Sequence, residues 1–249
     1  MSKPILQIQN LYKNFGAIQA TSDVSFSIEK GGIHALIGPN GAGKTTLVNQ
    51  LSGDILPDKG TIHFKSTDIT NLKAHKRAQL GIARSFQITH IFEQLTVAEN
   101  MALAIHSKNG HSFHFWKRAL GTSQIKQDLS IALERVDLSS RSLQSARYLS
   151  HGEKRQLEVG MALVGNPELL IMDEPMAGMG AGGTRELAKL IEGLRGDVTI
   201  LLVEHDMDVV FSLADKVTVL VYGEHAATGT PNEIRADSKV RNAYLGEER

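Results

Sequence analysis

The rhythm of hydrophobic and polar positions changes along this chain, and the changes predict its elements. Over the first 32 residues the two alternate. Leu6-Gln7-Ile8-Gln9 and Val24-Ser25-Phe26-Ser27-Ile28 put every second residue on one face, with turns at Phe15-Gly16 and Lys30-Gly31-Gly32. A period of two predicts antiparallel strands with one buried face. Ile33-His34-Ala35-Leu36-Ile37 is a denser apolar run, and Thr45 to Leu51 has helical composition, so a buried strand leads into a helix with Gly53 as its C-cap. Asp58-Lys59-Gly60 turns the chain into the short strand Thr61-Ile62-His63-Phe64, and Ala74 to Ala83 suits a helix or its end.

From about residue 88 to 155 the spacing becomes helical, in Leu95 to Ile105 and Gln124 to Val136, which predicts a mainly helical lobe. Strand and helix then alternate: Glu168 to Asp173, a helix near 184–194, Val198 to Val203, a helix near 206–213, and Lys216 to Leu220. Apolar runs of five or six residues predict strands buried on both faces, hence a parallel sheet covered by helices. The expected fold is α/β, with a mostly parallel sheet, an N-terminal antiparallel β subdomain and an inserted helical subdomain. One domain spans 1–249, with the core and β subdomain at about 1–87 and 156–230, the helical subdomain at about 88–155 and a tail at about 231–249.

Between the buried strand and its helix lies Gly38-Pro39-Asn40-Gly41-Ala42-Gly43-Lys44-Thr45, the spacing Gly-x-x-x-x-Gly-Lys-[Ser/Thr] in the context it requires. Glycines 38, 41 and 43 let backbone N–H groups press against phosphate oxygens, and the helix adds unpaired N–H groups and the positive end of its dipole. Lys44 can reach β- and γ-phosphates, and the Thr45 hydroxyl, followed by Thr46, can ligate Mg²⁺. The loop predicts a P-loop nucleotide triphosphatase. A second constellation, Leu169 to Asp173 followed by Glu174-Pro175, ends a buried strand in two carboxylates at the sheet edge where that loop opens. Asp173 can hold Mg²⁺ and Glu174 can orient or deprotonate water; the alternative is a strand capped by solvated acids before a proline turn. His205, in Val203-Glu204-His205-Asp206, ends another buried strand and is either structural or a partner for a γ-phosphate or water. Phe15, at a turn ahead of the loop, is either an exposed ring that stacks on a base or a half-buried strand-end aromatic.

Lys+Arg and Asp+Glu both total 27, so the net charge of zero argues against a general nucleic-acid or acidic-lipid surface. With no cysteine, disulfides, thiol catalysis and zinc–thiolate sites are excluded. The start lacks the apolar core of a signal peptide and no run of 18 apolar residues occurs, so a soluble, cytoplasmic chain is expected. Residues 106–118 hold three of the ten histidines and the only tryptophan. No acid or thiol joins those histidines, so a solvated loop explains them better than a metal site, and a partner or membrane contact stays open. Gly178 to Gly183 satisfies Gly-x-Gly-x-x-Gly, but it follows Asp173-Glu174-Pro175 instead of emerging from a strand, so a dinucleotide site is not expected there.

Leu149-Ser150-His151-Gly152-Glu153 resembles the Leu-Ser-Gly-Gly-Gln signature of ATP-binding cassette proteins, and six motifs follow that family's order over about residues 5–230. The resemblance implies that Phe15 is the base-stacking aromatic, Gly38 to Thr45 the Walker A loop, Gln87 the glutamine loop, Leu169 to Asp173 Walker B, Glu174 the catalytic glutamate and His205 the switch histidine. Gln87 would also serve the metal and link the γ-phosphate region to the helical lobe. A serine and a glycine before the helix-forming Lys154 to Val159 offer a hydroxyl, N–H groups and a dipole to an anion, although taken alone Ser150 reads as an N-cap.

In the family that signature faces the ATP of a neighbouring subunit, so two chains, identical or different, sandwich two nucleotides and Mg²⁺. The Leu-Ser-His-Gly-Glu run, Asp-Glu-Pro-Met-Ala-Gly-Met and the long helical insertion look most like ATPase subunits of branched-chain amino-acid and urea-type importers. Expected partners are a second such ATPase, transmembrane permease subunits and, indirectly, a periplasmic binding protein, with no nucleic acid, at the cytoplasmic face of the inner membrane. Departures are His151, Glu153 and Gly180, the last where the family carries an aspartate that couples the two sites, which implies weakened or asymmetric coupling. The alternatives are a soluble cassette ATPase acting on nucleic acid or ribosomes and a non-hydrolysing nucleotide-binding regulator.

Overall fold

A computed structural model describes residues 3–85, 91–108, 123–238 and 240. The chain forms two compact units, one of 1–84, 168–174 and 194–249, the other of 85–167 and 175–193. The second unit is wider than the helical lobe expected at 88–155, because helices on both sides of the Walker B-like strand belong to it.

In the first unit, β1 (Pro4–Phe15) and β2 (Ile18–Glu29) form the expected antiparallel hairpin, extended on one side by β4 (Lys59–Phe64) and β5 (Thr67–Asp68). Parallel strands β3 (Ile33–Ile37), β7 (Leu169–Asp173) and β8 (Thr199–Val203) are buried at every position, as continuous apolar runs require. With β6 (Ile82–Ser85), β9 (Lys216–Val221) and β10 (Glu224–Gly229) they complete one mixed sheet, ordered β5-β4-β1-β2-β10-β9-β3-β8-β7-β6. Ile82 and Ala83, expected to end a helix, lie instead in β6. Gly81, at φ 104, stops the helix α2 (Ala74–Leu80), and its carbonyl accepts the N–H groups of Glu168 and Leu169.

Period-two alternation sends neighbouring residues of β3 into different cores. Leu36 packs in one cluster with Leu47, Leu51, Ile171 and Val203, whereas Ala35 and Ile37 pack with Val210, Val219 and Ile234. The first layer contains α1 (Lys44–Ser52), and the second contains α7 (Met207–Leu213) and α8 (Pro231–Ala236). Arg77, buried to 1% exposure, fixes the far end of α1 by donating to the carbonyls of Gln50, Leu51, Thr70 and Leu72. A cation at a helix C-terminus complements both the orphan carbonyls and the dipole.

The second unit packs α3 (Val97–Lys108), α4 (Ser123–Arg135), α5 (His151–Leu163) and α6 (Ala181–Gly193). A side chain at Gly160 would come within 2.6 Å of Met101 Cε and 3.1 Å of Val136, so α5 approaches α3 at a glycine. No helix among the described residues is long and apolar enough to cross a membrane.

His34, the second residue of β3, shares a hydrogen bond of 2.8 Å with Thr218, which meets Thr228, which in turn meets His225. Burial, aided by Lys216 and His225, pushes its pKa down to about 4. The folded chain therefore refuses a proton that the unfolded chain accepts below about pH 6.5, so stability is full above that pH and falls as pH drops toward 4. Over that window the loss from this group is about 3 kcal/mol. Urea unfolding at pH 7 and pH 4.5 should show the decline, and His34→Gln should flatten it.

Candidate functional site

Strand register assembles the site. Leu36 of β3 pairs with Val203 of β8, and Val203 pairs with Asp173 of β7, so three parallel strands end side by side. The segments leaving these strands emerge at one edge: the Gly38–Thr45 loop, Glu174, and Glu204-His205. Ligand sites of parallel α/β sheets lie at this carboxyl edge.

The loop is held by close backbone approach. A Cβ at Gly38 would lie 2.3 Å from the Leu220 carbonyl oxygen, and one at Gly43, where φ is 92, would lie 2.2 Å from the Ala20 carbonyl oxygen. Ala42 N–H bonds back to Pro39 O, and Gly223 N–H donates to Ala42 O, tying the loop to the β9–β10 turn. Asn40, Gly41 and Thr45 are exposed, and Thr46 is half-buried behind them. Helix α1 starts from Gly43 with no side-chain cap and no acidic residue in its first turn, so its leading N–H groups favour an anion. Lys44 is buried, and its ammonium donates to the carbonyls of Gly38 at 2.7 Å and Pro39 at 3.1 Å. Burial lowers its pKa from the usual lysine value, and the charges of Glu174 and Asp173 oppose that shift.

Asp173 is buried, and its Oδ2 accepts from Arg84 at 3.0 Å. Arg84 also donates to Asn49 and Ser52 of α1 and to Asp54 just beyond it, so one guanidinium spans the acidic strand and the loop's helix. Sequence reasoning missed Arg84. The available signal was an arginine in the short segment before Gln87, but its partners lie far along the chain. Glu174 takes φ 47, a left-handed conformation that costs a non-glycine residue about 1–2 kcal/mol. Its N–H donates to Val203 O, which holds that conformation against β8.

His205 does reach this edge. Its ring is 61% exposed, its backbone N–H donates to the carboxylate of the fully buried Glu204 at 3.3 Å, and its Nδ1 lies 3.9 Å from the same oxygen. Phe15 is exposed at the end of the β1–β2 hairpin, with the Lys13 ammonium 5.7 Å from its ring centre. The ring is therefore about half accessible at the last residue of β1. Gln87 lies outside the described residues, as do His111, His114 and Trp116 of the 106–118 run. Among the described residues, no group of three or more His, Asp or Glu side chains is arranged to hold a metal ion.

A family model described as ABC transporter matches residues 21–177, more than half of the chain. The chain belongs to the ABC transporter family. A second model, described as branched-chain amino acid ATP-binding cassette transporter, matches residues 225–249. Over 99% of its length the chain is 38% identical to the high-affinity branched-chain amino acid transport ATP-binding protein LivG of Escherichia coli (strain K12), covering 100% of that protein. It is 37% identical to the corresponding BraF of Pseudomonas aeruginosa, covering 99% of this chain and 100% of BraF. Among solved structures it resembles a nucleotide-free ATP-binding cassette from an ABC transporter, with a TM-score of 0.86 and 32% identity over 98% of this chain and 100% of that one. An ABC transporter cassette in its ADP conformation matches with a TM-score of 0.86 and 32% identity, over 99% and 100% of the two chains. As an ABC family member the chain binds nucleotide and is the ATPase subunit of a transporter.

The second unit presents the ABC signature at the start of α5. Ser150 is the N-cap: its Oγ accepts from Glu153 N–H at 3.2 Å, while the Glu153 carboxylate accepts from Ser150 N–H at 2.8 Å. Glu153, a departure from the family's glutamine, therefore closes a capping box, steadied by Arg141 at 2.8 Å. A Cβ at Gly152 would stand 3.4 Å from Gly183 Cα, so α5 and α6 meet at paired glycines. Gly183 closes the Gly-x-Gly-x-x-Gly run, which thereby has a packing role. Nothing lies within 4 Å of a Cβ placed at Gly180, so sterics do not exclude the family's aspartate there.

Arg84→Ala leaves the buried Asp173 carboxylate without its cation and is predicted to cost about 3 kcal/mol in urea unfolding. Adding Asp173→Asn to that variant should recover part of the loss, and a double-mutant cycle with all four proteins measures the coupling.

Proposed function

We propose that this ABC subunit drives uptake of branched-chain or related amino acids, at the cytoplasmic face of the inner membrane. It acts beside a second ATPase chain, identical or different, on transmembrane permease subunits fed by a periplasmic binding protein. The names of LivG and BraF and the match of the C-terminal segment to the branched-chain family support the substrate class. The observation that carries the hydrolytic reading is the convergence of Lys44, Asp173, Glu174 and His205 on one sheet edge.

In the proposed mechanism the triphosphate lies on the N–H groups of residues 38–46, and the Lys44 ammonium exchanges loop carbonyls for β- and γ-phosphate oxygens. Phe15 receives the base. The Thr45 hydroxyl and Asp173 are hard oxygen donors that suit Mg²⁺, with Arg84 holding Asp173 by its Oδ2. A bound Mg²⁺ would neutralise phosphate charge. Glu174 and His205 position and polarise the attacking water, with Glu174 accepting its proton. Ser150 and Gly152 of the partner chain close the site from the start of a helix held by its capping box. We place Gln87 between the γ-phosphate region and the helical unit on its motif position alone.

Closure must supply about 5.5 kcal/mol of differential affinity to switch a transporter between states, a demand that two nucleotides bound only in the closed pair can meet. The two units together form one cassette domain in this reading, with 231–249 as its C-terminal segment. With Gly180 in place of aspartate, the two sites are coupled weakly or asymmetrically.

Glu174→Gln keeps the shape and removes the charge. It should bind ATP normally, lower phosphate release at least a hundredfold and stabilise an ATP-bound pair of chains seen by sedimentation. Turnover near wild type would sink the assignment. Lys44→Ala should abolish tight ATP binding in calorimetry, and unchanged affinity would refute the loop's role.

A further inference from the structure

Between β9 and β10 the chain turns in two residues, Tyr222-Gly223, with Val221 and Glu224 paired across the turn. Both turn residues are left-handed, at φ 49 and φ 80. A two-residue hairpin turn with positive φ at both positions selects Asn-Gly or Asp-Gly, so a tyrosine at its first position is held against its own preference. Packing does not repay that cost, because Tyr222 is 84% exposed. A residue that breaks a local rule without structural gain points to a role in function.

The turn borders the phosphate loop. Gly223 N–H donates to Ala42 O at 3.1 Å, Gly223 O accepts from Ser22 N–H at 2.7 Å, and a Cβ at Gly43 would lie 3.4 Å from Gly223 Cα. The same Cβ would strike Ala20 on β2, and two residues along that strand Ile18 pairs with Phe15. Ile18 is 70% and Phe15 47% exposed, so the hairpin and the turn that touch the loop carry three large uncovered side chains.

Resting on the reading of that loop as the nucleotide site, we propose that Tyr222 is a second aromatic contact for the nucleoside half of ATP. With the phosphates on residues 38–46, the nucleoside leaves the loop along β2 toward Phe15, and Tyr222 stands beside its path. The ring offers a face to the base or sugar and a hydroxyl to their polar edges.

Tyr222→Asn tests this, because asparagine suits the turn better than tyrosine and the variant should melt at the same or a higher temperature. Calorimetry on the full chain, with ATP and with inorganic tripolyphosphate as ligands, separates a nucleoside contact from the phosphate cradle. The variant should bind ATP about tenfold more weakly, the scale of one lost aromatic–base contact, and tripolyphosphate as well as wild type. ATP affinity within twofold of wild type would overturn the proposal, and so would an equal loss for both ligands. If wild type itself fails to bind ATP, the nucleotide reading of the loop falls first. Tyr222→Phe should keep most of the affinity if the ring face makes the contact.

Discussion

Parallel register between β3, β8 and β7 is the constraint on which the rest depends. Because Leu36, Val203 and Asp173 are level, three segments distant in sequence leave the sheet at one edge. Hydrogen bonds along five-residue, fully buried strands fix that alignment, and slipping it by one residue would exchange the side chains that a strand gives to the two buried layers. Rigidity of the sheet thus passes directly to the chemical groups. The loop's backbone rests on Leu220 and Ala20, and Glu174 is pinned left-handed against Val203. Groups positioned before a ligand arrives need no reorganisation when charge develops on it.

Electrostatics at that edge are balanced locally. Burial disfavours the Lys44 ammonium, and Asp173 and Glu174 favour it. Arg84 answers the buried charge of Asp173 and ties it to α1, so the acidic strand and the phosphate-binding helix share one cation. The buried Arg77 secures the opposite end of α1. In a chain of zero formal net charge, charge is arranged pair by pair and not as a general field.

Much of this was legible in the sequence because the signals are local. Glycine spacing before Lys44, carboxylates closing an apolar run at Asp173-Glu174, and a histidine closing another at His205 each encode strand and loop in a few residues. The same local reading put Ile82 and Ala83 at a helix end, since only their place beside β7, a tertiary fact, makes them strand. Arg84 and Tyr222 were invisible for that reason: one acts through Asp173, 89 residues away, and the other through a turn that folds back on Ala42. Glu153 read as a departure from the ABC signature, whereas the capping box explains it as helix chemistry. The helical unit is wider than its periodicity suggested because α6, beyond the acidic strand, packs with α5.

In the proposed mechanism all three strand ends build one metal–nucleotide site at this edge. A crystal structure with a non-hydrolysable ATP analogue and Mn²⁺ would show that site, since Mn²⁺ takes the same oxygen ligands as Mg²⁺ and scatters anomalously. The expected result is triphosphate density along Gly38–Thr46 and a single anomalous peak between the Thr45 hydroxyl and the Asp173 carboxylate, with Glu174 and His205 facing the γ-phosphate. Density away from the loop, or a metal bound without Thr45 and Asp173, would contradict it.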